Sequence, residues 1–333
     1  MLAVLCVMLA SWIPEVVGVT HKVVSSQALD AADQRLLSST SSEISVARAL
    51  VTASSVCSLC CALSIILYFV LNQDSRRCGR RILFCLHVAD VGVSSAWLLS
   101  WWVSPTPSTD APEAEASPLC MAQGYLLVYF SLASYLWTAC FAFHLYQILA
   151  RRSKYPELYE SRYHVISWGL PALTVCQLVV QEISGATLLG ESGRPWCWFR
   201  TWSDYEWVRS GFHAQLALFY IPVAIVLVHN LATYISLLYH LSDILSTKME
   251  ERIWRRLLAY SWVFFLSFVW GIFAVFYQAT SPNHELSPSM LYFMSFFTPL
   301  QGAMNAIAYG VNEKMRRRIK SGLWQTRQPT QRQ

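Results

Sequence analysis

Residues 121–149, MAQGYLLVYFSLASYLWTACFAFHLYQIL, form a run of 29 without one Asp, Glu, Lys or Arg. A hydrocarbon layer of about 30 Å is crossed by about 20 apolar helical residues, so this run is long enough to span a bilayer. It lacks the two-residue alternation of a barrel strand. Six further stretches qualify, at about 49–71, 82–103, 164–182, 211–240, 257–279 and 288–310. Pro171, Pro222 and Pro299 fall inside three of them. Membrane helices tolerate proline where neighbouring groups satisfy the freed carbonyl. Composition over all 333 residues agrees, with 55% hydrophobic and 14% charged residues and a mean hydropathy of +0.37. A soluble globule with so few charges would expose large apolar patches. High apolar content with a net charge of only +5 also excludes disorder. The expected fold is all-α, a bundle of seven membrane helices.

Lys and Arg set the orientation. Nineteen of the 25 lie between spans 1 and 2, 3 and 4, and 5 and 6, or after span 7. The 104–119 loop on the opposite side has none, and carries Asp110, Glu113 and Glu115. The N-terminus is therefore expected outside and the C-terminus in the cytoplasm, in a multi-pass protein of the plasma membrane. The basic residues flank helix ends, where they can touch anionic membrane lipid; no nucleic-acid partner is needed to explain them. Residues 1–18 read as a signal peptide ending at Val16-Val17-Gly18, although no basic residue opens it. Residues 19–48 read as a short, poorly ordered extracellular N-terminus, 49–310 as the membrane domain and 311–333 as a cytoplasmic tail. A short amphipathic helix is expected near 312–321, where Met315 and Ile319 form an apolar pair amid Arg and Lys.

Enzyme signatures are absent. His284-Glu285 begins a zinc-protease pattern, but Pro288 stands where the second histidine belongs. Cys57, Cys60 and Cys61 lie inside span 1, where cysteine serves as a small packing residue. No catalytic residue, metal or cofactor is expected. Of the ten cysteines, Cys120 at the mouth of span 3 and Cys197 in the 183–210 loop both face the oxidising side. A Cys120–Cys197 bridge is the pairing that suits compartment and position. Asp90 is the one charged side chain deep in any span, so it must face the bundle interior. It acts there either as a hydrogen-bonded switch or as a static polar staple. Asn305 and Tyr309, four residues apart on one face of span 7, are its expected partners. The many tryptophans read either as an interfacial belt or as aromatic walls of a ligand cavity.

Three motifs narrow the class. Span 4 carries Trp168-Gly169-Leu170-Pro171, the outer loop Cys197-Trp198-Phe199-Arg200, and span 7 Pro299-Leu300-Gln301-Gly302 followed by Asn305 and Tyr309-Gly310. The first two resemble secretin/adhesion and cyclic AMP receptor-like G-protein-coupled receptors. The third resembles the cyclic AMP receptor-like family. The resemblance covers about residues 45–320. It departs at the end of span 3, which has neither D-R-Y nor E-R-Y, and in span 6, where Trp270-Gly271 lacks a proline.

The resemblance implies a cell-surface receptor that passes the signal of a small extracellular ligand to a heterotrimeric G protein, with cyclic AMP a candidate ligand. A seven-helix transporter or channel is the alternative, and one intramembrane aspartate is thin support for it. By position and residue type, the ligand is expected among Trp97, Trp101, Tyr125, Tyr129, Arg200, Tyr220, Tyr277 and Tyr292, with Arg200 pairing an anion. The expected switch comprises Asp90, Trp270, Asn305 and Tyr309. The expected surface facing the G protein comprises Arg151, Arg152, Arg255 and Arg256.

Overall fold

The computed structural model describes residues 26–71, 78–103, 117–191, 194–203, 206–242, 247–280 and 287–310. Side chains are described within these ranges except at 26–41, 191, 202–207, 241–242, 247–261, 264, 309 and 310. The expected signal peptide, the amphipathic helix near 312–321 and the 311–333 tail lie outside the described residues. Contacts divide the chain into Met1–Ser42 and Glu43–Gln333.

Among the described residues, eight α-helices follow in order. They are α1 (Ser26–Leu71), α2 (Cys78–Trp101, closing in a 3-10 turn), α3 (Pro118–Leu149) and α4 (Pro156–Ile183). The rest are α5 (Arg209–His240), α6 (Thr247–Thr280), α7 (Pro288–Phe297) and α8 (Gln301–Asn305). In hydrocarbon a helix satisfies every backbone group within its own segment, which is why apolar runs this long fold this way. Among the described residues, α2 to α5 and Ser42–Leu71 are long and apolar enough to cross a membrane. The sixth expected span contributes the shorter apolar stretch Phe265–Thr280. The seventh is broken into α7 and α8, neither long enough alone. The helix of span 1 starts at Ser26, ahead of the span expected from residue 49. No Gly or Pro interrupts 26–48, so nothing there stops a helix.

Serine and proline together start two helices. Ser117 caps α3 by accepting from Cys120 N at 3.2 Å, with Pro118 in the first turn. Ser287 caps α7 by accepting from Met290 N at 3.4 Å, followed by Pro288. Proline fits there because its missing N–H would be unsatisfied anyway. The internal prolines act differently. Wider π turns cover Val165–Gly169 and Leu216–Tyr220, each ending two residues before a proline, Pro171 and Pro222. A proline removes the bond to the carbonyl four residues back and crowds it, and a π turn accommodates both effects.

Helix α3 is the axis of the bundle. About two-thirds of its apolar window is buried (67%), against 22% for α4. One core cluster includes Trp97, Leu127, Leu132, Phe219, Phe268 and Met294, together with Trp196, Trp198 and Phe199 of the α4–α5 loop. A second includes Ile82, Leu86, Ala133, Trp137, Phe141 and Tyr163. Leu173, Ile183, Ile225 and Val228 point outward and are more than half exposed, an apolar surface that only lipid would cover favourably. The α4–α5 loop folds as a hairpin of β1 (Leu189–Glu191) and β2 (Cys197–Phe199), in the register Leu189↔Phe199 and Glu191↔Cys197.

Candidate functional site

The hairpin plugs one mouth of the bundle. Cys197 of β2 is bonded to Cys120 in the first turn of α3, with Cα atoms 5.3 Å apart. Gln123, one turn further along α3 and fully buried, secures the junction. Its Oε1 accepts from Cys197 N at 2.9 Å. Its Nε2 donates to Ala96 O at 3.1 Å and to Ser100 Oγ at 2.8 Å. One amide thus ties loop, α2 and α3 together. The sequence reading passed over Gln123, whose signal was a lone amide at the mouth of an uncharged run.

Beneath the plug is a cavity with about 40 Å³ for the centres of water-sized molecules. Trp97, Tyr135, Trp196, Trp198, Phe219, Tyr220 and Phe268 form its aromatic wall, and Ser131, Ser267, Gly271, Met294, Thr298 and Arg194 complete it. Trp196 meets Trp97 edge-on at 5.1 Å, and Trp198 meets Phe219 at 4.9 Å. Arg194 is 5% exposed. Its Nη2 donates to Gln278 Oε1 at 3.2 Å, and burial pushes its guanidinium down from the ordinary value.

Of the eight expected ligand residues, Trp97 and Tyr220 line this cavity and the other six do not. Trp101 is 59% exposed. Tyr129 stacks on Trp168, 6.3 Å away. Tyr125 and Tyr292 pack at the edge of the core, and Tyr277 is exposed. Arg200 lies along the hairpin beside Gly190. The difference is azimuthal. Tyr129 has the right depth, but Ser131 lies about 200° further round the helix and faces the cavity instead. Arg194, between β1 and β2, lines the cavity, and Arg200, just past β2, does not.

Deeper in the bundle, polar groups converge on Asp90. Asn305 Nδ2 donates to both carboxylate oxygens at 3.1 Å, and Ser134 Oγ donates to Oδ1 at 2.7 Å. Gln301 Nε2 donates in turn to Ser134 Oγ at 2.9 Å. Asp90, Ser134, Asn305 and Gln301 are all buried. The Asp90–Asn305 pair expected from sequence is therefore present. The side chain of Tyr309 lies outside the described residues. Trp270 is elsewhere, stacked on Phe293 at 4.5 Å and Phe297 at 5.5 Å between α6 and α7. Its large ring finds aromatic partners rather than the carboxylate.

The break between α7 and α8 has a visible cause. Ser58 Oγ of α1 donates to Pro299 O at 2.6 Å and accepts from Ala303 N at 3.1 Å. These two backbone groups are four residues apart and would bond directly in an unbroken helix. A hydroxyl inserted between them holds the helix open. A side chain at Gly302 would place its Cβ 3.2 Å from Asp90 Cβ and 3.3 Å from Ser58 Cβ, so glycine permits this approach. At the other end of the bundle, Arg81 of α2 pairs with Glu160 of α4. Arg151 and Arg152, just past α3, are exposed there. The side chains of Arg255 and Arg256 lie outside the described residues.

The profile of the secretin family of seven-transmembrane receptors matches residues 41–304. The chain belongs to this family. It is 26% identical over 252 residues to cyclic AMP receptor-like protein A of Dictyostelium discoideum, covering 76% of this chain and 60% of that one. It is 24% identical over 301 residues to G-protein coupled receptor 1 of Arabidopsis thaliana, covering 85% and 83%. Human adhesion G-protein coupled receptor G2 is 26% identical over 263 residues, which are 75% of this chain and 23% of that one. The chain thus spans less than two-thirds of several relatives, 60% of the Dictyostelium receptor-like protein and 23% of the human adhesion receptor. All three motifs of this secretin-family receptor have structural work. Trp168 packs on Trp137, Cys197-Trp198 closes the cavity, and Gln301, Gly302 and Asn305 surround Asp90. The transporter alternative is not favoured.

Proposed function

We propose that this receptor lies in the plasma membrane with its N-terminus outside and passes occupancy of the disulfide-capped cavity to a heterotrimeric G protein. The observation that carries this reading is the place of the α7–α8 break. Met294 and Thr298 line the cavity. Pro299 and Gln301, one and three residues past Thr298, already belong to the Ser58 and Asp90 networks. A ligand that displaces Thr298 therefore acts on the hinge and the buried carboxylate together. Only differential affinity for two arrangements can drive such a change. The response at the far end is movement of α6, opening a cleft rimmed by Arg151, Arg152, Arg255 and Arg256 for a G-protein helix.

The cavity has room for about three waters, so a nucleotide-sized ligand requires the plug to shift. Cyclic AMP is the first ligand to try, because relatives carry it in their names. The test is nucleotide exchange on added G-protein α subunits in membranes bearing the full chain, beside ion flux in the same vesicles. Exchange above that of empty membranes supports the reading. Ion flux without exchange would sink it.

A further inference from the structure

The buried polar groups around the cavity are badly matched. Arg194 Nε, Trp97 Nε1, Trp198 Nε1 and Thr298 Oγ1 are all buried and have no hydrogen-bond partner among the described residues, and all four residues line the same cavity. Three of these groups are N–H donors that cannot accept. Buried polar groups are paired in the great majority of cases, and leaving even one unpaired is costly. Here four converge, and one belongs to a guanidinium that stays charged. Among the described residues no Asp or Glu pairs with it, and the described ion pair is Arg81–Glu160 at the far end. The other end of the guanidinium is anchored, since Gln278 accepts from Nη2 and donates to Thr201 Oγ1 at 3.4 Å. Arg194 is thus held in place with its Nε free.

We propose that the cavity binds a small organic anion whose carboxylate or phosphate head accepts hydrogen bonds from Arg194, Trp97 and Trp198, and whose apolar body lies against the aromatic wall. This deepens the receptor reading and rests on it. An oxygen-rich anionic head supplies both things the site lacks, acceptors and negative charge. A cation would meet an unpaired positive charge, and a neutral alcohol would leave that charge uncompensated. The body faces Tyr220 across Gly271, where a Cβ would come within 3.1 Å of the Tyr220 hydroxyl, so glycine keeps that side of the cavity open. Gln278 lies on α6, so a head group that draws on Arg194 also pulls on the helix expected to move.

The test is thermal unfolding of the purified full chain in detergent with four probes of equal chain length: hexanoate, hexyl phosphate, hexylamine and hexanol. Both anions, or one of them, should raise the wild-type midpoint more than hexanol and hexylamine do. A shift by one anion alone identifies the head as carboxylate or phosphate. Arg194→Gln should raise the half-saturating anion concentration roughly 30-fold or more, and its ligand-free midpoint should not fall, because it removes a buried unpaired charge. Thr298→Val removes one donor at little change of shape, Trp198→Phe removes one together with the ring that carries it, and each should weaken the anion effect in part. Arg200→Gln should leave it intact. Equal shifts by hexanol and the anions would overturn the proposal. So would an undiminished anion effect in Arg194→Gln, or, if that variant does not fold, in both Thr298→Val and Trp198→Phe. Melting requires no G protein, so anion binding without nucleotide exchange would fault the transduction reading alone.

Discussion

Asp90 accepts three hydrogen bonds from Ser134 and Asn305. Asp90→Asn keeps the shape but replaces one acceptor oxygen by a donor facing the Asn305 amide. If the carboxylate is a switch, this variant should change basal nucleotide exchange severalfold while surface expression stays near wild type. Unchanged exchange with a lowered melting midpoint would instead make Asp90 a staple. Ser58 offers a sharper case, because its hydroxyl serves two backbone groups at once. Ser58→Ala should destabilise the fold by about 1–3 kcal/mol, the usual cost of stranding buried polar groups. An undiminished midpoint would mean that Pro299 O and Ala303 N pair directly and the helix closes. Of these residues, Asp90 and Asn305 were legible in the sequence, since a charge in hydrocarbon demands a polar neighbour and Asn305 and Tyr309 stand four apart on one face of span 7. Ser58 was not. Its neighbourhood reads as small packing residues, and nothing local says that its hydroxyl reaches another helix.

At the scale of elements, the hairpin and the proline-bearing helices divide the labour. Spans 4 and 5 absorb their prolines in π turns. Span 7 breaks instead, because α1 supplies the hydroxyl that stabilises the gap. The hairpin depends on Cys120–Cys197, which closes a loop of 77 residues in sequence. Cys197→Ser should lower stability by roughly 2–4 kcal/mol and blunt the response to any ligand, measured as melting midpoint and nucleotide exchange on the same preparation. Both thiols reacting with an alkylating reagent without prior reduction would contradict the bridge itself. The cysteine pair could be read from topology alone. The docking of Trp196 and Trp198 into the bundle could not, because an interfacial belt and a cavity wall use the same residues.

For the whole molecule, orientation is the open property with the simplest test. Nineteen of 25 Lys and Arg flank one side of the spans, and such bias places that side in the cytoplasm. An epitope at the N-terminus should be stained on intact cells, and one at the C-terminus only after permeabilisation. The reverse pattern would invert the molecule and move the disulfide-capped cavity to the cytoplasm. The sequence by itself determined the helical class, the spans, the paired cysteines and the buried carboxylate with its asparagine. Each follows from a demand that the bilayer makes on one segment: enough apolar length, no unpaired charge, thiols on the oxidising side. Only the tertiary structure decided which aromatics face inward, that Arg194 rather than Arg200 is buried at the cavity, and that Ser58 opens span 7. Those outcomes depend on how far each rod is turned about its own axis and which distant rod it meets. A turn of one residue, about 100°, leaves the hydropathy of a span unchanged and redirects every side chain on it.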